Sequence, residues 1–357
     1  MWDSPFGLRP RLPPVLIAVI ASTFFVGFGG GVVFPILPNL GSVLGISAVT
    51  VGLILSANRL VRLVANAPAG ALVDRYGTRA PFVAGLFVEG VATLGYVVAV
   101  ALPPASSLGW VVAGLPHGTL GPLHVGSGAW TALIARAVAP EWWFLLARVL
   151  WGIGSAGVFA TAYTIAADVS DSSSRGTNMG VVRGGLTMGF PAGLVLGGVV
   201  SAVAGDVAAF SVAATFAFVA AAVAYRHVPE THVTRIDDDR SVRPWDVDAS
   251  TPAVTVGVVN FGLLFAYVGA LFATLVLFLD VRDLSLFGLA PRGTSGLLMA
   301  GTVVAAAAFM LVGGRLSDAG SSRTPVLVVF LLVSSVGFLL LARAESTLGL
   351  ALACVCI

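Results

Sequence analysis

The feature that most constrains this chain is a series of long apolar segments separated by short polar ones. A helix that crosses a membrane needs about 20 mostly apolar residues. Segments of that length lie near residues 14–38, 45–70, 80–103, 142–167, 178–201, 205–227, 252–279, 293–315 and 324–343. A tenth apolar run starts near residue 346. The sequence therefore predicts an all-α integral membrane protein with about 9–10 membrane helices.

The composition fits the same environment. Of the 357 residues, 57% are hydrophobic and 10% are charged, whereas soluble domains carry about 25% charged residues. The formal net charge of +2 gives no basic surface for nucleic acid. Cys354, Cys356 and four histidines are too few for a disulfide framework or a metal cluster. We therefore expect no metal, no cofactor and no nucleic-acid partner. Since no nucleophile–base pair or phosphate-binding loop is evident, we also expect no enzyme activity.

The arginines indicate the orientation of the helices, because cytoplasmic loops of membrane proteins carry an excess of positive charge. With a cytoplasmic N-terminus, the inner loops hold Arg9, Arg11, Arg75, Arg79, Arg175, Arg226, Arg235, Arg240, Arg243, Arg315 and Arg323. The outer loops hold Arg136, Arg282, Arg292 and Arg343. The first apolar segment is too long for a cleavable signal peptide. We therefore expect a multi-pass plasma-membrane protein with its N-terminus in the cytoplasm.

A charged ten-residue stretch between the second and third apolar segments recurs later in the chain. Residues 70–79 (GALVDRYGTR) and 314–323 (GRLSDAGSSR) share Gly, Leu, Asp and Arg at the same offsets. The repeat predicts two similar halves, 1–227 and 252–357, which are joined by a solvated cytoplasmic linker at 228–251.

The segment 104–141 interrupts this pattern between the third and fourth apolar segments. It is rich in Gly and Pro and contains His117 and His124. Loops of this length are uncommon without a role. The segment could form an outer lid or an interfacial helix, or it could be a neutral insertion.

The first charged stretch resembles the loop signature of the major facilitator superfamily, G-x-L-x-D-R-x-G-x-R. The residues at the fixed positions are Gly70, Leu72, Asp74, Arg75, Gly77 and Arg79. The weaker second copy, with Asp318 and Arg323, falls where the family repeats this loop. The resemblance implies two six-helix bundles, of which this chain would supply one complete bundle and part of the other.

Two further signatures carry the same resemblance. The fourth segment contains the family's R-x-x-x-G-x-G at Arg148, Gly152 and Gly154. The fifth segment resembles the antiporter motif G-x8-G-x3-G-P-x2-G-G, with Leu194 at the proline position. Its glycines are Gly180, Gly189, Gly193, Gly197 and Gly198. Glycines at these spacings let neighbouring helices approach closely.

The resemblance implies transport by alternating access, in which one bundle rocks against the other around a site near the bilayer midplane. The fifth-segment motif favours proton-coupled efflux of a small molecule, as in the drug/proton antiporter branch. The expected partners are a small-molecule substrate, protons and the lipid bilayer, with the chain acting as a monomer. Two alternatives remain, namely proton-independent or symport uptake of a metabolite, and a non-transporting truncated fragment of such a transporter.

Glu89 and Arg148 are the predicted proton-coupling residues. An arginine inside the membrane costs about 2.5–3.5 kcal/mol on insertion scales, so Arg148 should face the bundle interior and find a partner. Glu89 is the acid that lies deep in the N-terminal segments and is the predicted partner. The resemblance implies a role in proton transfer for this arginine; the alternative is an ion pair that only holds helices together.

Polar residues of the second and seventh segments are the predicted lining of a substrate cavity. Arg59, Arg62 and Asn66 share one helical face because of their three- and four-residue spacing, and Asn58 adjoins them. These arginines would favour an anionic or polar substrate, or they would hold Glu89. On the seventh segment, Asn260 and Tyr267 are seven residues apart and are predicted to share a face.

The resemblance also implies a gate at the cytoplasmic end. It places Asp168 within reach of Arg75 or Arg79 and predicts an ion pair between them in the outward-facing state. An exposed pair of this kind contributes only about 0–1 kcal/mol. Such a weak contact suits a gate, because alternating access needs two states of similar energy.

Overall fold

The computed structural model describes residues 13–44, 46–101, 139–171, 174–231, 250–319 and 324–357. Within these ranges the chain is helical apart from short turns. In lipid, backbone N–H and C=O groups must be satisfied within the segment, and a helix does this. Nine of the described helical spans are long and apolar enough to cross a membrane, and a shorter apolar helix follows them. The all-α membrane fold predicted from the sequence is therefore confirmed.

The helices follow the apolar segments closely. The first six are α1 (Pro14–Leu44), α2 (Ala48–Tyr76), α3 (Arg79–Ala101), α4 (Pro140–Asp168), α5 (Arg175–Ala204) and α6 (Asp206–His227). The seventh span consists of α7 (Thr251–Leu264), a π-helical segment (Phe265–Phe272) and α8 (Ala273–Val281). The last helices are α9 (Pro291–Ala319), α10 (Thr324–Ala342) and α11 (Thr347–Cys356).

Glycines with positive φ end two of the helices. Gly77, with φ 81°, ends α2 and donates its N–H to the carbonyl of Val73 at 2.8 Å. Gly205, with φ 88°, separates α5 from α6. Other residues adopt this left-handed backbone only at a cost. The two turns lie at opposite ends of the first six helices, and these ends are called the Gly77 end and the Gly205 end below.

The closest packing in the first six helices is between α1 and α5, which run parallel. The glycines of α5 face the backbone of α1 at matching four-residue steps, in the pairs Gly185–Ile20, Gly189–Phe24, Gly193–Phe28 and Gly197–Val32. A methyl carbon added at Gly197 would lie 2.7 Å from Cα of Val32. Side chains larger than hydrogen would therefore push these two helices apart.

Not every glycine of the predicted packing motif takes part in this contact. Nothing lies within 4 Å of the position where a Cβ would stand on Gly180. Gly185, which lies outside the motif, extends the contact instead. Gly198 packs on the carbonyl of Arg292 at the start of α9, 2.6 Å from the position of an added Cβ. One of the five motif glycines is therefore open, three contact α1 and one contacts the second half of the chain.

Several predictions fall outside the described part of the chain. The side chains of residues 310–323 are not described, so the gating roles of Asp318 and Arg323 stay predictions. The same holds for residues 102–138, which include most of the predicted insertion, and for residues 232–249 of the predicted linker.

We predict that Gly193→Ala destabilises the protein and that Gly180→Ala does not. The added methyl group at Gly193 meets the backbone of Phe28, and overpacking of this kind costs about 1–3 kcal/mol. At Gly180 the methyl group meets open space, and alanine favours the helix by about 1 kcal/mol. Thermal unfolding in detergent measures both variants, and equal midpoints would contradict the packing described here.

Candidate functional site

Two charged side chains are buried within the first six helices. Glu89 of α3 and Arg148 of α4 are each 1% exposed. The two helices approach closely because Gly85 and Gly154 face each other. A methyl carbon on either glycine would lie 2.6 Å from the carbonyl oxygen of the other. The structure thus places both charges in the bundle interior, as the high cost of a lipid-facing charge requires.

Glu89 and Arg148 do not form the predicted ion pair, which is a correction to the sequence interpretation. No ion pair joins them in the part of the chain that the structure describes. The helices α3 and α4 run antiparallel, with Gly95 beside Ala147 at one end of the contact. Helical side chains lean toward the N-terminus of their own helix. The two side chains therefore lean in opposite directions along the interface.

Arg148 lies between aromatic rings instead. Its Cζ atom is 5.9 Å from the ring centroids of both Phe34 and Tyr96. Its Nε and Nη2 atoms have no hydrogen-bond partner among the described residues. Cation–π attraction to the two rings compensates in part for the missing carboxylate. The arginine is therefore buried with part of its hydrogen-bonding capacity unused.

Glu89 has Arg62, rather than Arg148, as its charged neighbour. The two side chains interact electrostatically across the α2–α3–α4 region, although no ion pair of 4 Å or less joins them. Oε1 of Glu89 has no hydrogen-bond partner among the described residues. The Cζ atom of Arg62 lies 4.3 Å from the ring centroid of Phe159. Glu89 is thus a buried carboxyl group with a free oxygen and one arginine nearby.

The other polar residues of α2 differ in exposure. Asn58 is buried. Its backbone carbonyl oxygen lies so close to Gly152 of α4 that position 152 has no room for a side chain. Arg59 is exposed and donates from Nη1 to the carbonyl of Leu55 at 3.5 Å. Its Cζ atom is 5.7 Å from the ring centroid of Phe34. Arg59 and Arg148 therefore approach the same ring from two helices.

The two predicted cavity residues of the seventh span differ in exposure, since Tyr267 is half-buried and Asn260 is not. Tyr267 packs on Phe272, with ring centroids 4.7 Å apart, and Phe272 contacts Phe34 at 5.6 Å. Asn260 is exposed on α7. The π-helical segment that contains Tyr267 has more residues per turn than an α-helix. The lining of a substrate cavity by Asn260 and Tyr267 stays a prediction. Asn66 of α2 is likewise exposed.

The α2–α3 turn is bound by a carboxylate that follows α6. Glu230 accepts hydrogen bonds from the backbone N–H of Thr78 at 2.7 Å and of Arg79 at 3.2 Å. Arg79 donates from Nη2 to the carbonyl of Tyr225 at 2.8 Å. A carboxylate at a helix N-terminus satisfies free N–H groups and the helix dipole. The start of the predicted solvated linker is therefore part of the loop site.

Asp168 forms no ion pair with any arginine whose position the structure describes. Its Oδ2 atom accepts a hydrogen bond from Oγ1 of Thr231 at 3.0 Å. Arg75 packs over the ring of Tyr76, with Cζ 5.4 Å from the centroid. The guanidinium group of Arg79 donates its hydrogen bond to the carbonyl of Tyr225 instead. The Asp168–arginine latch stays a prediction for another conformation.

At the Gly205 end an ion pair joins the two halves of the chain. Nη1 of Arg292 on α9 lies 2.8 and 3.0 Å from the two carboxylate oxygens of Asp206 on α6. Ser201 donates its hydroxyl to the same carboxylate. The Gly198 contact with the Arg292 backbone lies beside this pair. The sequence interpretation counted Arg292 only as a loop arginine.

Sequence reasoning missed Glu230, Asp206 and the aromatic partners of Arg148. A carboxylate at a helix N-terminus is a favourable arrangement, but the sequence does not show which acid lies close to the start of α3. The contact depends on a helix of the same bundle that is some 150 residues away in sequence, with separations of 151 and 152 residues. Spacing alone carries no information about such pairs.

The comparisons with known protein sequences agree on one family. A model described as the Major Facilitator Superfamily matches residues 19–126 and 123–357. An uncharacterized MFS-type transporter of Methanocaldococcus jannaschii is 26% identical over 180 residues, which is 50% of this chain and 36% of that protein. Multidrug resistance protein 2 of Bacillus subtilis is 24% identical over 323 residues, which is 84% of this chain and 66% of that protein. The chain thus spans less than two thirds of the length of these relatives.

Solved structures show the same fold. A bacterial homologue of the human lysosomal transporter Spinster, in an inward-facing and occupied conformation, superposes with a TM-score of 0.67 at 17% identity. That match covers 96% of this chain and 70% of the other. The xylose transporter XylE from E. coli, partially occluded and inward open, superposes with a TM-score of 0.62 at 13% identity, over 96% and 83% of the two chains. At these identities the likeness shows the fold alone.

We predict that Glu230→Ala loosens the α2–α3 turn. The change removes the acceptor of two backbone N–H groups at the start of α3, and loss of such a cap costs about 1–2 kcal/mol. Faster amide exchange at the start of α3 and a lower unfolding temperature are the expected results. Glu345→Ala, at an exposed position, is the control. Unchanged exchange in the Glu230 variant would show that the carboxylate does not hold the turn.

We predict that Asp206→Asn opens the Gly205 end more often. Opening is reported by a single cysteine, Ser295→Cys, at a buried position on α9. The two native cysteines are replaced in the same chain by Cys354→Ala and Cys356→Ala. Labelling by a water-soluble maleimide should become several-fold faster, because the charged pair with α9 is lost. Asp283→Asn, an exposed acid before α9, is the matched control. Equal labelling rates in both variants would contradict a closing role for the pair.

Proposed function

Because the chain belongs to the major facilitator superfamily, we propose that it is a secondary transporter that exports a small molecule in exchange for protons. Its family and its fold indicate transport and not enzyme chemistry. The two halves of the chain would rock against each other around a site between them. Glu89 would bind the proton in one state and release it in the other.

The main support for the proposal is the environment of the Glu89 carboxyl group. Its carboxyl group is 1% exposed, has an oxygen without a hydrogen-bond partner among the described residues and has Arg62 nearby. A structural ion pair would instead satisfy both oxygens, because an unsatisfied buried charge is costly. A group whose environment changes as the halves move can therefore gain and lose a proton during the cycle.

Two observations support export as the direction. The similarity to a protein named for multidrug resistance extends over 84% of this chain. In addition, three of the glycines that resemble the antiporter motif lie against the backbone of α1, and Gly198 lies against α9. This close packing would seal the space between the halves while Glu89 exchanges its proton.

We propose that the protein lies in the plasma membrane and that its Gly77 end faces the cytoplasm. Arg75, Arg79, Arg175 and Arg226 lie at or near this end. Arg282, Arg292 and Arg343 lie at the opposite end, and the larger positive charge belongs inside. The Asp206–Arg292 contact would then close the outer face.

Symport uptake is the second candidate, and one observation favours it. In the first bundle three arginines, the buried Arg148, the half-buried Arg62 and the exposed Arg59, outnumber the buried acid Glu89. A substrate that neutralises these arginines would remove the need for a charged Glu89. Such a substrate would bind together with a proton, whereas a proton exchanger requires that substrate and proton exclude each other.

The test is dye transport in vesicles that contain the 357-residue chain. An imposed pH gradient should drive transport of a panel of fluorescent dyes, and Glu89→Gln should reduce the gradient-dependent rate at least about tenfold, because the proton site is lost. Glu345→Gln, an exposed acid, is the matched control and should behave as the unmodified chain. Normal gradient-dependent transport by Glu89→Gln would overturn the proposal. The sign of the gradient that drives transport separates antiport from symport.

A further inference from the structure

The first bundle holds more positive charge than a single proton site requires. Four arginines on three helices form a continuous series, named the arginine row here: Arg148, Arg59, Arg62 and Arg183. Arg59 interacts electrostatically with Arg148 and with Arg62, and Arg62 interacts with Arg183. Like charges repel one another, and water screens this repulsion only in part beside the buried Arg148 and the half-buried Arg62. The row is therefore unfavourable unless something neutralises it.

The part of the chain described by the structure does not supply that neutralisation. No ion pair joins a member of the row to a carboxylate within 4 Å among the described residues. Glu89 is the acid that interacts electrostatically with the row, through Arg62. One acid beside four arginines leaves three positive charges without a counter-charge.

Neutral groups contact the row instead. Phe34 lies within 6 Å of the guanidinium carbons of both Arg59 and Arg148, at 5.7 and 5.9 Å. Arg62 stands 4.3 Å above the ring centroid of Phe159. Arg183 donates from Nη1 to the hydroxyl of Tyr163 at 3.4 Å. These contacts orient the guanidinium groups beside apolar rings but leave their charge in place.

A purely structural role explains the row poorly. Arg59 and Arg183 are exposed in the structure, and Arg62 is half-buried, so none of the three fills the core. Exposed arginines within a membrane-spanning region must face a polar cavity and not lipid. Arg148 is buried at one end of the row, and its Nε and Nη2 atoms lack hydrogen-bond partners among the described residues.

We propose that the arginine row binds an organic anion with a flat aromatic body. Guanidinium groups hold carboxylates and sulfonates through paired N–H donors, and the half-buried ring of Phe159, over which Arg62 stands, supplies apolar contact beside them. The bound anion is the missing counter-charge. This inference rests on the proposed transport function for the purpose of the site, but it does not depend on the direction of transport.

Equilibrium binding to the purified full chain tests the charge of the ligand. Fluorescein and rhodamine 6G share a xanthene ring system and carry opposite charges, so their comparison varies charge on a common aromatic body. Fluorescence polarisation in detergent, without a pH gradient, should show fluorescein binding at least about tenfold more tightly than rhodamine 6G. Tighter or equal binding of rhodamine 6G, or saturable binding of neither dye, would overturn the proposal.

Variants locate the binding to the row. Arg59→Gln and Arg183→Gln, both at exposed positions, should weaken fluorescein binding about tenfold, in line with the loss of one charged hydrogen bond. Arg59→Glu should in addition strengthen rhodamine 6G binding, which a structural defect would not do. Arg282→Gln, an exposed arginine that packs on Phe278 at 5.4 Å, is the matched control. An equal loss in the control would assign the binding to general charge and overturn the proposal.

The outcome is separable from that of the transport experiment. Binding in detergent is measured without a proton gradient. Fluorescein binding without gradient-driven dye transport would refute proton-coupled transport and leave the anion site standing. Gradient-driven transport of rhodamine 6G without fluorescein binding would do the reverse.

Discussion

The structure depends above all on keeping charge away from lipid. The spans include Glu89, Arg59, Arg62, Arg148 and Arg183, each of which would be costly on a lipid-facing surface. The bundle buries Glu89 and Arg148 almost completely and turns the other arginines toward aromatic rings and a tyrosine hydroxyl. The packing of the helices therefore decides where these charges lie, and this links the fold to the proposed transport.

Small residues make this arrangement possible. The Gly85–Gly154 contact brings α3 against α4 at the level where Glu89 begins, and a Cβ on Gly154 would lie 3.0 Å from Cγ of Glu89. Glycines of α5 bring that helix against α1. Such close approach excludes lipid and water from between the paired helices, since no side chains hold them apart. The same contacts leave smooth surfaces on which helices can shift.

The sequence predicts the spans well and the partners of the charges poorly. The length of each apolar segment is enough to locate the helices, because the thickness of the lipid bilayer sets the length of a membrane-spanning helix. It also places Glu89 and Arg148 inside, because lipid excludes charge. The pairing of these two residues is wrong because it depends on antiparallel packing and on the lean of each side chain. The π-helical segment around Tyr267 is another feature that residue spacing does not show, because its helical period differs locally from that of an α-helix.

The most direct measurement of the central claim, that Glu89 carries the transported proton, is infrared spectroscopy of the purified chain during a pH titration. A protonated carboxyl group without hydrogen bonds absorbs at the high-frequency edge of the carboxylic C=O region, apart from hydrated acids. The unpartnered Oε1 atom of Glu89 predicts such a band, which appears and disappears with pH in the unmodified chain and in Glu345→Gln. The band should be missing from Glu89→Gln. A band of this kind that persists in Glu89→Gln would contradict the account and assign the proton to another group.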